Sequence, residues 1–267
     1  MDFTRIRSEI EKLEGNIGIA IEAGDGTRYQ FNGDMPIEAA SVIKLPIMGA
    51  VFEAAQEGRI PLCQTVETRA EEMMPGCGVL TRLHPGLCLT VRDLVVLMII
   101  VSDNTATNRL IDLVGMDTIN RFIDRQGLHG TRLRRKLFDA ALSAKGIQNT
   151  VAANDIFLLL RRILNRELVS QEASGEMLEI LSAQQLNGKI PFYLSSNSEG
   201  TKPAYPDVDC AHKTGEDEGI THDVGILFTE SPSILCFLSE KTEVQRALRA
   251  IQKIAGLLAY PDRTDFA

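Results

Sequence analysis

The 267-residue chain contains no tryptophan, and its aromatic residues make up only 5% of the total. Platforms on which nucleic-acid bases could stack are scarce, and a formal net charge of -8 repels a phosphate backbone, so no nucleic-acid partner is expected. Long apolar runs are missing too. The longest, Leu94 to Val101, has eight residues, well short of the ~20 that a membrane-crossing helix needs. The first residues, Met1-Asp2-Phe3-Thr4-Arg5-Ile6-Arg7, alternate charge and apolarity and lack the apolar core and small-residue cleavage site of a secretory signal. The expected location is therefore the cytoplasm for the chain as it stands, or the periplasm or exterior for one that has lost a signal peptide. Five cysteines (Cys63, Cys77, Cys88, Cys210, Cys236), an odd number without CxxC spacing, suggest neither a disulfide framework nor a zinc ribbon. They read as small buried hydrophobes in a reducing compartment. Four histidines without ligand spacing give no metal site.

What is present is a substantial apolar fraction, 44%, enough for a sizeable core in one domain or two packed lobes. Ile17, Ile19 and Ile21 alternate with small or polar residues before Gly24-Asp25-Gly26 turns the chain into Thr27 to Phe31, which reads as a β-hairpin. A second hairpin is expected from Asp223 to Thr229 and Ser233 to Ser239, around Glu230-Ser231-Pro232. Between them lie helical signals. Thr90-Val-Arg-Asp93 forms a capping box ahead of Leu94 to Val101, which has too little polar face for anything but a buried helix. Further helices are predicted over Thr105 to Val114, closed by Gly115, and over Asn154 to Leu164, Ser174 to Leu181 and Val244 to Leu258.

Strands at both chain ends with helices between them predict an α+β fold, in which an antiparallel sheet from residues 1–40 and 195–267 receives an all-helical lobe, 41–194, with a cleft between. The two parts are expected to form one structural unit.

Glu38-Ala-Ala-Ser41-Val-Ile-Lys44 ends a polar stretch and opens a helix running through Phe52. Ser41 would sit at the helix N-terminus, where free N–H groups favour an oxyanion, and the i, i+3 spacing puts Lys44 on its face. A desolvated lysine can take the proton of a serine hydroxyl. Alone the quartet equally describes a simple N-cap. Two further triplets change the balance: Ser102-Asp103-Asn104 after the buried helix, and Lys213-Thr214-Gly215 before the Asp223 strand.

With these three in order, the chain resembles the class A β-lactamases and low-molecular-weight penicillin-binding proteins, whose SxxK, SDN and KTG motifs recur in the same sequence. The runs SVIKLPIMGAVFEAAQEG, LTVRDLVVLMIIVSDNTATNRLIDLVG and HKTGEDEGITHDVGIL are similar to family segments in order and flanking pattern. The resemblance implies acylation of Ser41 with Lys44 as proton acceptor, Ser102 relaying a proton to the departing nitrogen, and Asn104 hydrogen-bonded to the acyl side chain. It also implies that Lys213 and Thr214 receive the substrate carboxylate, with Gly215 beside them, and that the Ser41 and Glu216 backbone N–H groups form the oxyanion hole. No cofactor and no metal are implied; the expected partner is a small β-lactam or D-alanyl-type peptide, and the expected state a monomer.

For the remaining residues structural readings are preferred: Asp103 buried on nearby backbone, Gly215 sparing the substrate a blocking side chain, His212 and His222 on the surface or behind the cleft, and Arg132 to Lys136 as a salt-bridged run. Class A β-lactamases carry, about 35 residues after the SDN serine, a glutamate that positions the deacylating water. Here that stretch reads Arg134-Arg135-Lys136-Leu137-Phe138-Asp139-Ala140-Ala141-Leu142, with Asp139 its one carboxylate. Acylation is expected and hydrolytic release is expected to be slow. A DD-peptidase or another serine amidase or esterase is the first alternative, and a β-lactam sensor domain the second.

Overall fold

A computed structural model describes residues 1–194, 207–263 and 266. The expected boundary at residue 195 therefore borders on residues outside the described ones. The chain opens with α1 (Thr4–Ile10), the hairpin β1 (Asn16–Glu22) and β2 (Arg28–Phe31), and the short β3 (Ile37–Glu38). A 3-10 turn, Ala40–Ile43, leads into α2 (Lys44–Gln56). Then come β4 (Thr65–Glu67), β5 (Cys88–Thr90), α3 (Val91–Ile100), α4 (Asn104–Val114), α5 (Met116–Arg125), α6 (Ala140–Ser143), β6 (Thr150–Val151), α7 (Ala153–Leu164) and α8 (Gln171–Ser182). A second 3-10 turn, Ile190–Tyr193, precedes β7 (Cys210–Asp217), β8 (Ile220–Leu227), β9 (Ser233–Glu240) and α9 (Val244–Ala259).

The main sheet is antiparallel, ordered β2-β1-β9-β8-β7, so strands from the two chain ends meet where β1 pairs β9. Alternation along β1 sends Ile17, Ile19 and Ile21 to one face, where they pack with Phe237, Ile6 and Ile10 of α1, and Ile251, Ile254 and Leu258 of α9. Ala20 points the other way, into a larger core with Val224, Ile226 and Leu238 and the apolar sides of α2, α3, α4, α7 and α8. Because both faces are covered, β8 and β9 are buried almost throughout, and their sequences read as near-continuous apolar runs.

The capping box at Thr90 forms as expected, with Thr90 Oγ1 and Asp93 each accepting from the other's backbone. Gly115 closes α4 at φ 86°. Helix α8 begins three residues earlier than its predicted start, because Ser170 is the N-cap; Ser174 is buried, with its hydroxyl on the backbone of Leu168. Both α1 and α5 lack a predicted counterpart. α5 packs against α2 so closely that a Cβ on Gly49 would lie 2.5 Å from the Phe122 ring.

One expectation is corrected here. Cys63, Cys77 and Cys88 are exposed, since all three lie in or beside loops with no apolar layer over them; Cys236 alone is buried. Of the two positions open to His212 and His222, surface or behind the cleft, both take the second and are buried. His222 Nε2 lies 2.8 Å from the Glu38 carbonyl and Nδ1 accepts from Ser239 N at 3.0 Å, a pattern that holds the ring neutral.

Burial pushes the His222 pKa down from 6.5 to about 4. Protonation therefore favours the unfolded chain, and the stability held above pH 6.5 falls as pH drops toward 4. Between pH 7 and pH 4 the protein is expected to lose about 3 kcal/mol more stability than a His222→Asn variant in urea unfolding. An equal loss in both would remove His222 as the source.

Candidate active site

Helix α3 ends at Ile100 with Val101 as its C-cap, and the chain reverses at Ser102 with φ 55°, a conformation a non-glycine residue holds only under constraint from its neighbours. Asp103 supplies that constraint. Its Oδ1 caps α4 by accepting from Ala106 N at 2.9 Å, and its Oδ2 takes Val79 N and Leu80 N at 2.7 and 2.8 Å. The carboxylate is buried and wholly committed to backbone, as the sequence reading of this residue held.

The reversal turns both the carbonyl and the hydroxyl of Ser102 toward Lys44. Lys44 Nζ, at the buried start of α2, donates to Ser102 O at 2.7 Å, to Ser102 Oγ at 2.9 Å and to Asn104 Oδ1 at 2.9 Å. From the sheet side, Lys213 Nζ reaches the same Ser102 Oγ at 3.1 Å and the Thr214 carbonyl at 2.8 Å. One hydroxyl thus joins the three motifs in space. Burial, then the neighbouring Lys213 charge, pushes the Lys44 ammonium well below its ordinary range, and burial brings Lys213 down to about 7.

Ser41 is half-buried and lies in the 3-10 turn; the α-helix starts only at Lys44. The tighter turn follows from Ala40 at φ 41° and the bond from Lys44 N to Ser41 O. The turn packs on β7, the edge strand of the sheet. A Cβ on Gly215 would stand 3.0 Å from the His222 ring and 3.2 Å from Val42 Cγ2. The absent side chain thus also spares crowding against the Ser41 turn and His222, a reason for glycine that lies inside the fold. Asn104 is also more committed than expected, because its Nδ2 donates to Pro75 O at 3.0 Å while Oδ1 faces Lys44.

A cavity of about 420 Å³ opens beside these groups. Ser41, Asn104 and Glu216 border it, as do Leu137, Phe138 and Asp139 from the loop before α6. Asp139 caps α6 through Oδ1, which accepts from Leu142 N at 3.0 Å. Leu137 is clamped by Asn108, which accepts from its N–H and donates to its carbonyl. Thr214 is buried on β7.

The sequence reading missed Lys189. It is buried, and its Nζ donates to Gly215 O at 3.1 Å and His222 O at 2.9 Å and pairs with Glu216 Oε1 at 3.1 Å. It precedes a 3-10 turn with no periodic pattern to mark it. Beside it, His212 Nδ1 lies 2.9 Å from Asp223 Oδ1, and Asp223 Oδ2 accepts from Ile190 N at 2.9 Å. Arg132 and Lys136 pair with Asp124 and Asp112, so the basic run is indeed tied down by ion pairs. Among the described residues, no cluster of His, Cys, Asp or Glu could hold a metal.

The model of the β-lactamase enzyme family matches residues 3–260. A β-lactamase of Rhodobacter capsulatus is 29% identical over 185 residues, 67% of this chain and 62% of that protein, so the match spans less than two thirds of the relative's length. A crystal structure of a β-lactamase from Sphaerobacter thermophilus superposes with a TM-score of 0.85 at 32% identity, covering 99% of this chain and 100% of that one. PBP-A superposes with a TM-score of 0.82 at 25% identity, covering 96% and 94%, and a mutant of PBP-A has been solved as an acyl-enzyme complex with penicillin G.

Replacing Asp103 by alanine strands three backbone N–H groups, two at the Val79–Leu80 loop and one at the α4 start. The expected loss is about 3 kcal/mol in urea unfolding, with Asp103→Asn losing less. A loss below 1 kcal/mol would show that the loop finds other acceptors.

Proposed function

The chain belongs to the β-lactamase enzyme family, and on that footing we propose that it is a serine hydrolase whose Ser41 is acylated by β-lactams and released slowly. The observation that carries this reading is Ser102 Oγ held between two buried lysines, Lys44 at 2.9 Å and Lys213 at 3.1 Å, beside a cavity bordered by Ser41.

Lys44, depressed by burial, is available as a neutral amine to take the Ser41 proton while Oγ attacks the lactam carbonyl carbon. The negative charge that develops on the carbonyl oxygen is met by the Ser41 and Glu216 backbone N–H groups. As the C–N bond breaks, the Ser102 hydroxyl gives its proton to the nitrogen and is replenished by the Lys44 ammonium it already contacts. Lys213 and the Thr214 hydroxyl hold the substrate carboxylate, and the remaining N–H of Asn104 faces the acyl side chain.

Release is the slower half. The wall that would activate the hydrolytic water presents Leu137, an apolar side chain, and Asp139, one oxygen of which is spent on the α6 cap. Asp139 Oδ2 is the group left to act as base. The same apolar wall, with the likeness to PBP-A, supports a second reading: an amidase acting on a D-alanyl-type peptide through the same acyl-enzyme.

Intact-mass measurement with benzylpenicillin is expected to show a one-to-one adduct that persists for minutes or longer and is absent in Ser41→Ala. No adduct on the folded native protein would sink the reading. Asp139→Ala is expected to lengthen the adduct lifetime, and an unchanged lifetime would remove Asp139 from the mechanism.

A second expectation concerns pH. In the free protein Lys213 loses its proton near pH 7, so the second-order rate constant for acylation by a carboxylate-bearing β-lactam should fall above that value as the counter-charge disappears. Bound carboxylate raises the Lys213 pKa, moving the limb upward in the saturated rate. A second-order constant that climbs from pH 7 to 9 would exclude Lys213 as the carboxylate's cation.

A further inference from the structure

Among the described residues, the cavity is bordered by four carboxylates, Glu38, Asp139, Glu216 and Asp217, and by one cation, Arg135. Glu38, three residues before Ser41 on β3, and Asp217, at the end of β7, both border it. Burial first, and then the Asp217 charge, raise the Glu38 carboxyl above its ordinary value; the Arg135 charge pulls the other way, and the charge of Glu240, which accepts from Glu38 N at 2.7 Å, adds a smaller rise.

Arg135 is the cation among these residues; its hydrogen bonds go to neutral oxygens, and its charge offsets that of Glu38 only across a long gap. Nε donates to Ile147 O at 3.1 Å and to Gln148 Oε1 at 2.9 Å, and Nη1 to Lys136 O at 3.1 Å. It comes no nearer to Glu38 Oε1 than 4.0 Å. Of the other two bordering carboxylates, Glu216 has Lys189 at 3.1 Å and Asp139 caps α6 through Oδ1. Across the cavity stands Phe138, 54% exposed and held at φ 61°, whose ring tip fills the place a side chain on Gly76 would take.

We propose that this border makes the cavity selective for acyl side chains that carry a positive charge, with Glu38 and Asp217 as the specificity-determining residues and Phe138 as the apolar surface opposite. The inference rests on Ser41 acylation as read above and deepens it by naming the substrate class: an amide whose acyl group bears an ammonium, whether on a β-lactam or on a peptide. An ammonium placed there adds to the one distant cation, Arg135, in offsetting two carboxylates, and a carboxylate in the same place meets two like charges. Because Asp217 is exposed, water and salt screen the effect, and discrimination of about fivefold per unit of charge is expected.

The test uses three penicillins alike except at the α-carbon of the side chain: α-aminobenzyl, benzyl and α-carboxybenzyl. Acylation rate constants are measured by time-resolved intact mass at pH 6, where the amine is protonated. The expected order is amino over unsubstituted over carboxy, with about tenfold or more between the extremes. Asp217→Asn, at an exposed position, and Glu38→Gln should each compress that span at least about threefold. Equal rates, a reversed order, or a span unchanged in both variants would overturn the proposal while leaving Ser41 acylation standing. The absence of any adduct with all three compounds would instead overturn the acylation reading, and this inference with it.

Discussion

Two lysine side chains end on one serine hydroxyl in the dry interior between the sheet and the helices, and much of the fold serves to make that tolerable. An ammonium taken from water must find acceptors, or lose its proton, or the protein loses stability. Lys44 finds three acceptors, all from the Ser102–Asn104 turn, and Lys213 finds two. The turn can offer so many because Ser102 adopts a backbone conformation that points its carbonyl and its hydroxyl the same way. That conformation is held by Asp103, whose carboxylate collects backbone N–H groups from a loop and a helix start. The solvation that these acceptors do not replace appears as depressed lysine basicity.

The sheet edge meets the same demand from the other side. β7 must bring Lys213 inward while leaving its outer edge open toward Ser41, and the Ser41 turn must come very close to it. Gly215 and Val42 allow that approach, and His222 fills the space beneath as a neutral ring bonded to β3 and β9. Lys189 then lies over the β7–β8 pair, bonded to the carbonyls of Gly215 and His222. The edge is stiffened by side chains that do not themselves face the cavity, which keeps the two backbone N–H groups proposed for the oxyanion at a set separation.

Local signals were legible wherever the physics is local. The Thr90–Asp93 capping box, the Gly115 stop, the hairpin turns and the two-residue alternation of β1 each depend on neighbours a few positions away, and each was read with its boundaries nearly right. Asp103 too was legible, as an acid at a helix start. α1 was not, because seven residues with two buried isoleucines carry little periodicity; α5 was passed over although Ile119, Phe122 and Ile123 fall at helical spacing. The exposed cysteines were misread for a related reason: a residue's average burial says nothing about a loop that no layer covers.

The amino-acid sequence by itself determined the order of the three motifs and the α+β architecture, since these follow from spacing, periodicity and capping. It also showed that the loop before α6 lacks a glutamate. Only the tertiary structure decided that Ser102 Oγ is shared by two lysines, that Lys189 stands behind β7, that a side chain on Gly215 would crowd Val42, and that Glu38 and Asp217 face one cavity. Those facts join residues separated by tens to nearly two hundred positions, and such distances in the chain become contacts only once the two chain ends close the sheet around the helices.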